Sequence, residues 1–106
     1  MVEITIIGAG GIGSNLTTSI ASAISRGDLV SSLGGVKLFL MDSDTVEDRN
    51  LMMGQRFSKD DIGRHKVDCI RGGISEFESG LLEVIPISND VRGRSDIPDS
   101  DIVVVC

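Results

Sequence analysis

Four glycines near the amino end of the chain could hold a phosphate group. They lie in the stretch GAGGIGSN, residues 8–15, directly after the apolar run VEITII. Gly8 permits a tight turn, and Gly13 allows a helix to pack closely on a strand. Gly10 and Gly11 let backbone N–H groups approach an anion, and a helix N-terminus adds about half a positive charge. The loop predicts a phosphate site without naming the nucleotide, and a tight turn with no ligand remains an alternative.

Acidic residues follow at the end of the next apolar run, VKLFLM. Asp42 and Asp44 stand at the strand end where open α/β sheets bind ligands, and a carboxylate accepts hydrogen bonds from ribose hydroxyls. In NAD sites that carboxylate lies about 20 residues beyond the glycines. Asp42 lies further on, and an inserted segment at residues 25–35 accounts for the delay. An NAD(P)-binding module of an oxidoreductase or regulatory domain therefore stays open as an alternative.

The order of motifs along the whole chain resembles the ThiF/MoeB-type adenylyltransferases, the family of ubiquitin-activating-like enzymes. The matching pieces are residues 8–14, 42–46, 50–51 and 62–66. The long first connection is more similar to the ThiF-like proteins of phages and plasmids. The resemblance implies an enzyme that binds ATP with Mg²⁺ and activates the C-terminal carboxylate of a ubiquitin-like or sulfur-carrier protein as an acyl-adenylate.

The resemblance also implies which residues form the site. The nucleotide-binding set comprises Gly8, Gly10, Gly11, Gly13, Asp42, Asp44, Asn50 and Lys66. Lys66 would place a positive charge against the phosphates and count as catalytic. The family's clamp arginine is missing, because Met53 or Gly54 stands at its position, depending on the register. Arg56 is the nearest substitute and the second predicted catalytic residue, and a catalytically impaired assembly protein is a further alternative.

The apolar patterns predict an α/β, Rossmann-like fold. Strands are expected at residues 2–7, 36–41, 81–87 and 101–106, in a mostly parallel sheet of order 3-2-1-4 with helices on both faces. One helix is expected over residues 12–24, with Ile12, Leu16, Ile20 and Ile24 as its apolar row. A second is expected through Val67 and Phe77, after a Ser58–Asp61 capping box and interrupted by a glycine pair.

Length and charge bound the remaining possibilities. The 106 residues suit one domain, interpreted as the N-terminal nucleotide-binding part of a ThiF-like adenylation domain truncated after strand four. A net charge of −6 argues against nucleic acid and anionic membranes as partners. No apolar run approaches the ~20 residues of a membrane span, so a cytoplasmic protein is expected. No metal-ligand set is predicted within the chain, and the open fourth strand predicts a homodimer.

Overall fold

The fold is built on a parallel sheet. The computed structural model describes residues 1–25, 29–51, 57–79 and 82–106. Its strands are β1 (Val2–Ile7), β2 (Val36–Met41), β3 (Leu82–Ile87) and β4 (Ile102–Val105), in the order β3-β2-β1-β4. All three pairings are parallel, which confirms the predicted fold class and strand order. The register pairs the last residue of each strand with that of its neighbour, so all four strands end level at one edge.

Helix α1 (Gly11–Ser25) follows β1 and confirms the helix expected over residues 12–24. Its buried face differs from the predicted apolar row, because Ile12 is 77% exposed. The buried residues are mostly small, namely Gly13, Ser14, Thr17, Ala21 and Ile24. Small side chains let a helix backbone lie close to a sheet. Helix α1 therefore buries its small residues, and the larger Ile12 stays exposed.

The helix of the second crossover begins later than the sequence indicates. The Ser58–Asp61 box forms, but it encloses a single 3-10 turn, Lys59–Asp61. Helix α3 (Lys66–Gly73) follows this turn in the second crossover. The first crossover also contains a short helix, α2 (Leu29–Ser32). The glycine pair ends α3, since glycine loses more backbone entropy in a helix than other residues, and a 3-10 turn, Ser75–Phe77, completes the connection.

Helices α1 and α3 share one face of the sheet. Their buried apolar residues join one core cluster with strand residues such as Ile6, Leu38 and Val84. Both crossovers step in the same direction along the sheet, and right-handed connections then place both helices on the same side. The opposite face meets the β3–β4 connection, where Ser100 bonds the buried Thr5 hydroxyl. Within the described residues, that connection contains only a 3-10 turn, Arg94–Asp96, so α1 and α3 lie on one face of the sheet, whereas helices on both faces were expected.

Candidate nucleotide-binding site

The glycine loop between β1 and α1 lies at the level edge of the sheet. Gly8 has a φ of 109°, and its N–H donates to the Met41 carbonyl at 2.8 Å. A Cβ at Gly8 would lie 2.7 Å from the Cys106 carbonyl oxygen. A Cβ at Gly13 would lie 1.8 Å from the carbonyl oxygen of Gly8. Both positions therefore require glycine, one for the turn and one for the contact between helix and strand.

The other side of the same loop is open. A Cβ at Gly10 would meet no atom within 4 Å. Helix α1 begins at Gly11, and the N–H groups of a first helical turn have no acceptor within the helix. Open space beside such N–H groups, together with the positive end of the helix dipole, is suited to an anion.

Asp42 links the glycine loop to the end of β2. Its Oδ2 accepts a hydrogen bond from the Ala9 N–H at 2.7 Å, and its Oδ1 accepts one from the Asp44 N–H at 2.8 Å. Each carboxylate oxygen can accept a further bond. The half-buried carboxylate therefore fixes the loop and keeps acceptor capacity for hydroxyl groups.

Lys66, the first residue of α3, lies beside the same turn. Its side chain is 8% exposed, and its Nζ lies 3.5 Å from Asp44 Oδ2. Its backbone N–H also donates to the Asp44 carbonyl at 3.0 Å. An antiparallel bridge between Thr45 and His65 continues this attachment. The start of α3 is thus fastened to the residues that follow β2.

A groove of about 260 Å³ opens between the ends of β1, β2 and β3. Its described lining consists of Ile7, Gly8, Met41, Asp42, Ser43, Asp44, Asn89, Asp90 and Val91. Three of these residues are carboxylic acids, and none of the described ones is lysine or arginine. Such a wall suits hydroxyl and amino donors better than phosphate, which carries like charge.

Residues 89–91 belong to this groove, although motif reasoning did not identify them. Asp90 accepts a hydrogen bond from the Ser43 hydroxyl, which joins the loops after β2 and β3. The signal that could have found these residues is their place directly after the third strand. The carboxyl ends of parallel strands meet at one edge, so the residues that follow them come together.

Other predicted residues have different surroundings. Asn50 is 6% exposed, and its Oδ1 accepts the Glu47 N–H at 2.8 Å, so it holds its own 3-10 turn, Asp48–Leu51. Arg49 is 75% exposed and pairs with Glu47 at 2.8 Å. Arg56, with Met53 and Gly54, lies outside the described residues.

The described parts of the chain contain no cluster of three or more His, Cys, Asp or Glu side chains suited to a metal ion. The same residues include no helix with the length and apolar character needed to cross a membrane.

Comparisons with known proteins find similarity along almost the whole chain. The family model described as ThiF family matches residues 1–106. Comparison with curated proteins finds no match. Among solved structures, E. coli MccB with ATP is similar at 27% identity and a TM-score of 0.74, over 96% of this chain and 28% of that one.

Two further structures are similar. MccB in complex with N-formylated MccA, described as a microcin C7 biosynthetic enzyme, has 28% identity and a TM-score of 0.71, over 98% of this chain and 28% of that one. PaaA, at 22% identity and a TM-score of 0.72, covers 99% of this chain and 31% of its own, and shows the fold alone. The chain thus spans less than a third of the length of these structures.

Proposed function

The chain belongs to the ThiF family, and from that premise we propose that it binds ATP and takes part in activating a C-terminal carboxylate as an acyl-adenylate. One observation carries the proposal: an open glycine loop, the Asp42 carboxylate and the buried Lys66 lie together at one sheet edge. The MccB structure solved with ATP supports the choice of nucleotide.

The two ends of the site differ in polarity, which gives the proposed ATP a direction. The phosphates would lie over Gly10, Gly11 and the first turn of α1, where N–H groups are available. The ribose would lie toward Asp42, in the groove whose described wall is rich in acceptors. Lys66 would reach the phosphates from the start of α3.

In the proposed reaction, a carboxylate oxygen of the substrate attacks the α-phosphorus of ATP. A new O–P bond forms, and the bond from that phosphorus to the bridging oxygen breaks with its electron pair leaving on pyrophosphate. The residues described here would hold the phosphates and stabilise their charge through α1 and Lys66. They contain no three-ligand metal set, so Mg²⁺ would be held mainly by the phosphates of ATP.

We propose a peptide or a small carrier protein as the substrate, and in the finer form a ubiquitin-like or sulfur-carrier protein. The MccB structure in complex with N-formylated MccA supports a partner of this kind. Residues 1–106 would form the nucleotide-binding part of a larger adenylation domain, as the 28% coverage of MccB suggests. A homodimer is part of the same proposal, whereas the exposed apolar residues Ile102, Val103 and Val105 of β4 would be covered by the rest of the larger domain.

Calorimetric titration with ATP–Mg²⁺ and, separately, with NADH tests the proposal. We expect heat of binding with ATP–Mg²⁺ and none with NADH, and we expect Lys66→Gln to bind ATP–Mg²⁺ more weakly. Binding of NADH alone would favour the NAD(P) alternative. Binding of neither nucleotide would favour a family member that has kept the sheet for assembly and lost the chemistry.

A further inference from the structure

Asp44 holds Lys66 at two points. The Asp44 carbonyl accepts the Lys66 backbone N–H at 3.0 Å, and the Asp44 carboxylate lies 3.5 Å from the Lys66 ammonium. The first contact fixes where α3 begins, and the second fixes where the lysine side chain ends. No other ion pair of Lys66 occurs within the described residues.

The two partners differ in exposure. The Lys66 side chain is 8% exposed, whereas that of Asp44 is 62% exposed. A buried ammonium loses hydration, and a nearby opposite charge offsets part of that loss and fixes the position of the ammonium. A long lysine side chain also loses conformational entropy when its position is fixed. If Asp44 fixes Lys66 in the free protein, that entropy is not lost on ligand binding, and the affinity is higher.

We infer that Asp44 is a positioning residue, which orients the Lys66 ammonium toward the phosphates of the proposed ATP. Asp42, whose two oxygens face the glycine loop and the turn, remains the ribose acceptor. The inference rests on the proposed function and changes the part expected of Asp44, from direct contact with the nucleotide to action through the lysine.

Calorimetry with two probes, ATP and adenosine, separates these parts. In Asp44→Asn we expect ATP affinity to fall about three- to fivefold, while adenosine affinity changes by less than about twofold. Asp44→Glu, which keeps the charge, should restore part of the ATP affinity. Adding Asp44→Asn to Lys66→Gln should cause no further loss. Equal losses for ATP and adenosine, or an unchanged ATP affinity, would overturn the inference.

A second readout needs no nucleotide. The rate at which an amine-acylating reagent modifies Lys66, measured by peptide mass spectrometry against the exposed Lys59, should rise about threefold in Asp44→Asn because the side chain is released. Asp48→Asn, which removes an exposed charge from the 3-10 turn Asp48–Leu51 after β2, is the matched control and should leave the rate unchanged.

These measurements also distinguish the two failures. If the wild type binds no ATP, the proposed function fails, and the acylation rate still decides whether Asp44 positions Lys66. If the wild type binds ATP but Asp44→Asn leaves the ATP affinity unchanged, the inference alone fails. Thermal unfolding verifies that the variants are folded, and Asp44→Ser replaces Asp44→Asn should the latter not fold.

Discussion

At the scale of single residues, Asp42 combines a structural and a binding part in one side chain. Its oxygens accept the N–H groups of Ala9 and Asp44, so the carboxylate that would meet the ribose also shapes the glycine loop. An amide in its place would turn an NH₂ group toward one of these donors. The effect of changing Asp42 should therefore appear in both binding and stability.

We expect Asp42→Asn to weaken ATP binding by about 1–3 kcal/mol and to lower the free energy of unfolding by about 1 kcal/mol, because a backbone donor loses its acceptor. Calorimetry and urea unfolding measure the two quantities. Asp60→Asn serves as the control for the loss of charge. An ATP affinity equal to that of the wild type would remove Asp42 from the site.

Asp61 gives the chain a pH-dependent contact outside the groove. Its Oδ2 accepts the Ser58 N–H at 2.9 Å, and this backbone hydrogen bond is the main cause that lowers the pKa of Asp61. The folded-state pKa then lies below that of the unfolded chain, about 3.9. The contribution to stability is present above that value and is lost as the pH falls through the folded-state pKa.

We therefore expect the wild type to be more stable than Asp61→Asn at about pH 6, and the difference to shrink at about pH 3. Urea unfolding at the two pH values measures it. A difference that stays constant between them would show that the ionised carboxylate adds nothing to this turn.

At the scale of elements, the contact between α1 and β1 depends on one missing methyl group. Alanine in a helix interior is favoured over glycine by about 1 kcal/mol, so Gly13→Ala would stabilise an unconstrained helix. Here the new Cβ would lie 1.8 Å from the Gly8 carbonyl, which forces the helix away from the strand. The steric cost should exceed the gain in propensity.

We expect Gly13→Ala to lower the free energy of unfolding by about 3 kcal/mol or more. Gly10→Ala is the matched control, since its Cβ meets nothing within 4 Å. That variant should keep its stability within about 1 kcal/mol, while the methyl group hinders an anion at the loop. Equal stability of the two variants would contradict the packing argument.

The strands follow from the sequence because they are apolar, β-branched runs bounded by glycine or acidic residues. Three of them, β1, β2 and β3, contain buried residues, whereas β4 is largely exposed. The buried face of α1 could not be predicted from the sequence, because it depends on how close the helix lies to the sheet. The isoleucine row alone does not indicate that distance. The start of α3 at Lys66 depends on the attachment to Asp44, a contact between segments that periodicity does not encode.

The candidate site also has residues that the sequence predicts and residues that only the structure identifies. The glycines, Asp42 and Lys66 stand in an ordered motif, so their meeting could be predicted from the sequence. The place of Asn89 and Asp90 in the groove requires the sheet register that brings the third strand level with the second. The resemblance places Asn50 in the nucleotide-binding set, whereas its side chain accepts a hydrogen bond from Glu47, beside its own 3-10 turn.

At the scale of the whole molecule, positive charge is scarce where the proposed reaction needs it. The net charge is −6, and the described lining of the groove has three carboxylic acids and no lysine or arginine. Lys66 is the buried cation beside the site, whereas Arg49 is 75% exposed and pairs with Glu47. Nucleotide binding and catalysis of adenylation are therefore predicted separately.

We expect the isolated chain of residues 1–106 to bind ATP but to catalyse ATP–pyrophosphate exchange near background. Phosphoryl charge in a transition state is usually stabilised by several preorganised cations, and a shortfall of about 3 kcal/mol corresponds to roughly a hundredfold in rate. Exchange of radiolabelled pyrophosphate into ATP, with a ubiquitin-like protein or a short peptide supplied as substrate, measures it. Robust exchange that is lost in Arg56→Ala or Arg49→Ala would instead identify that arginine as the missing clamp, and exchange that survives both changes would show that Lys66 and α1 suffice.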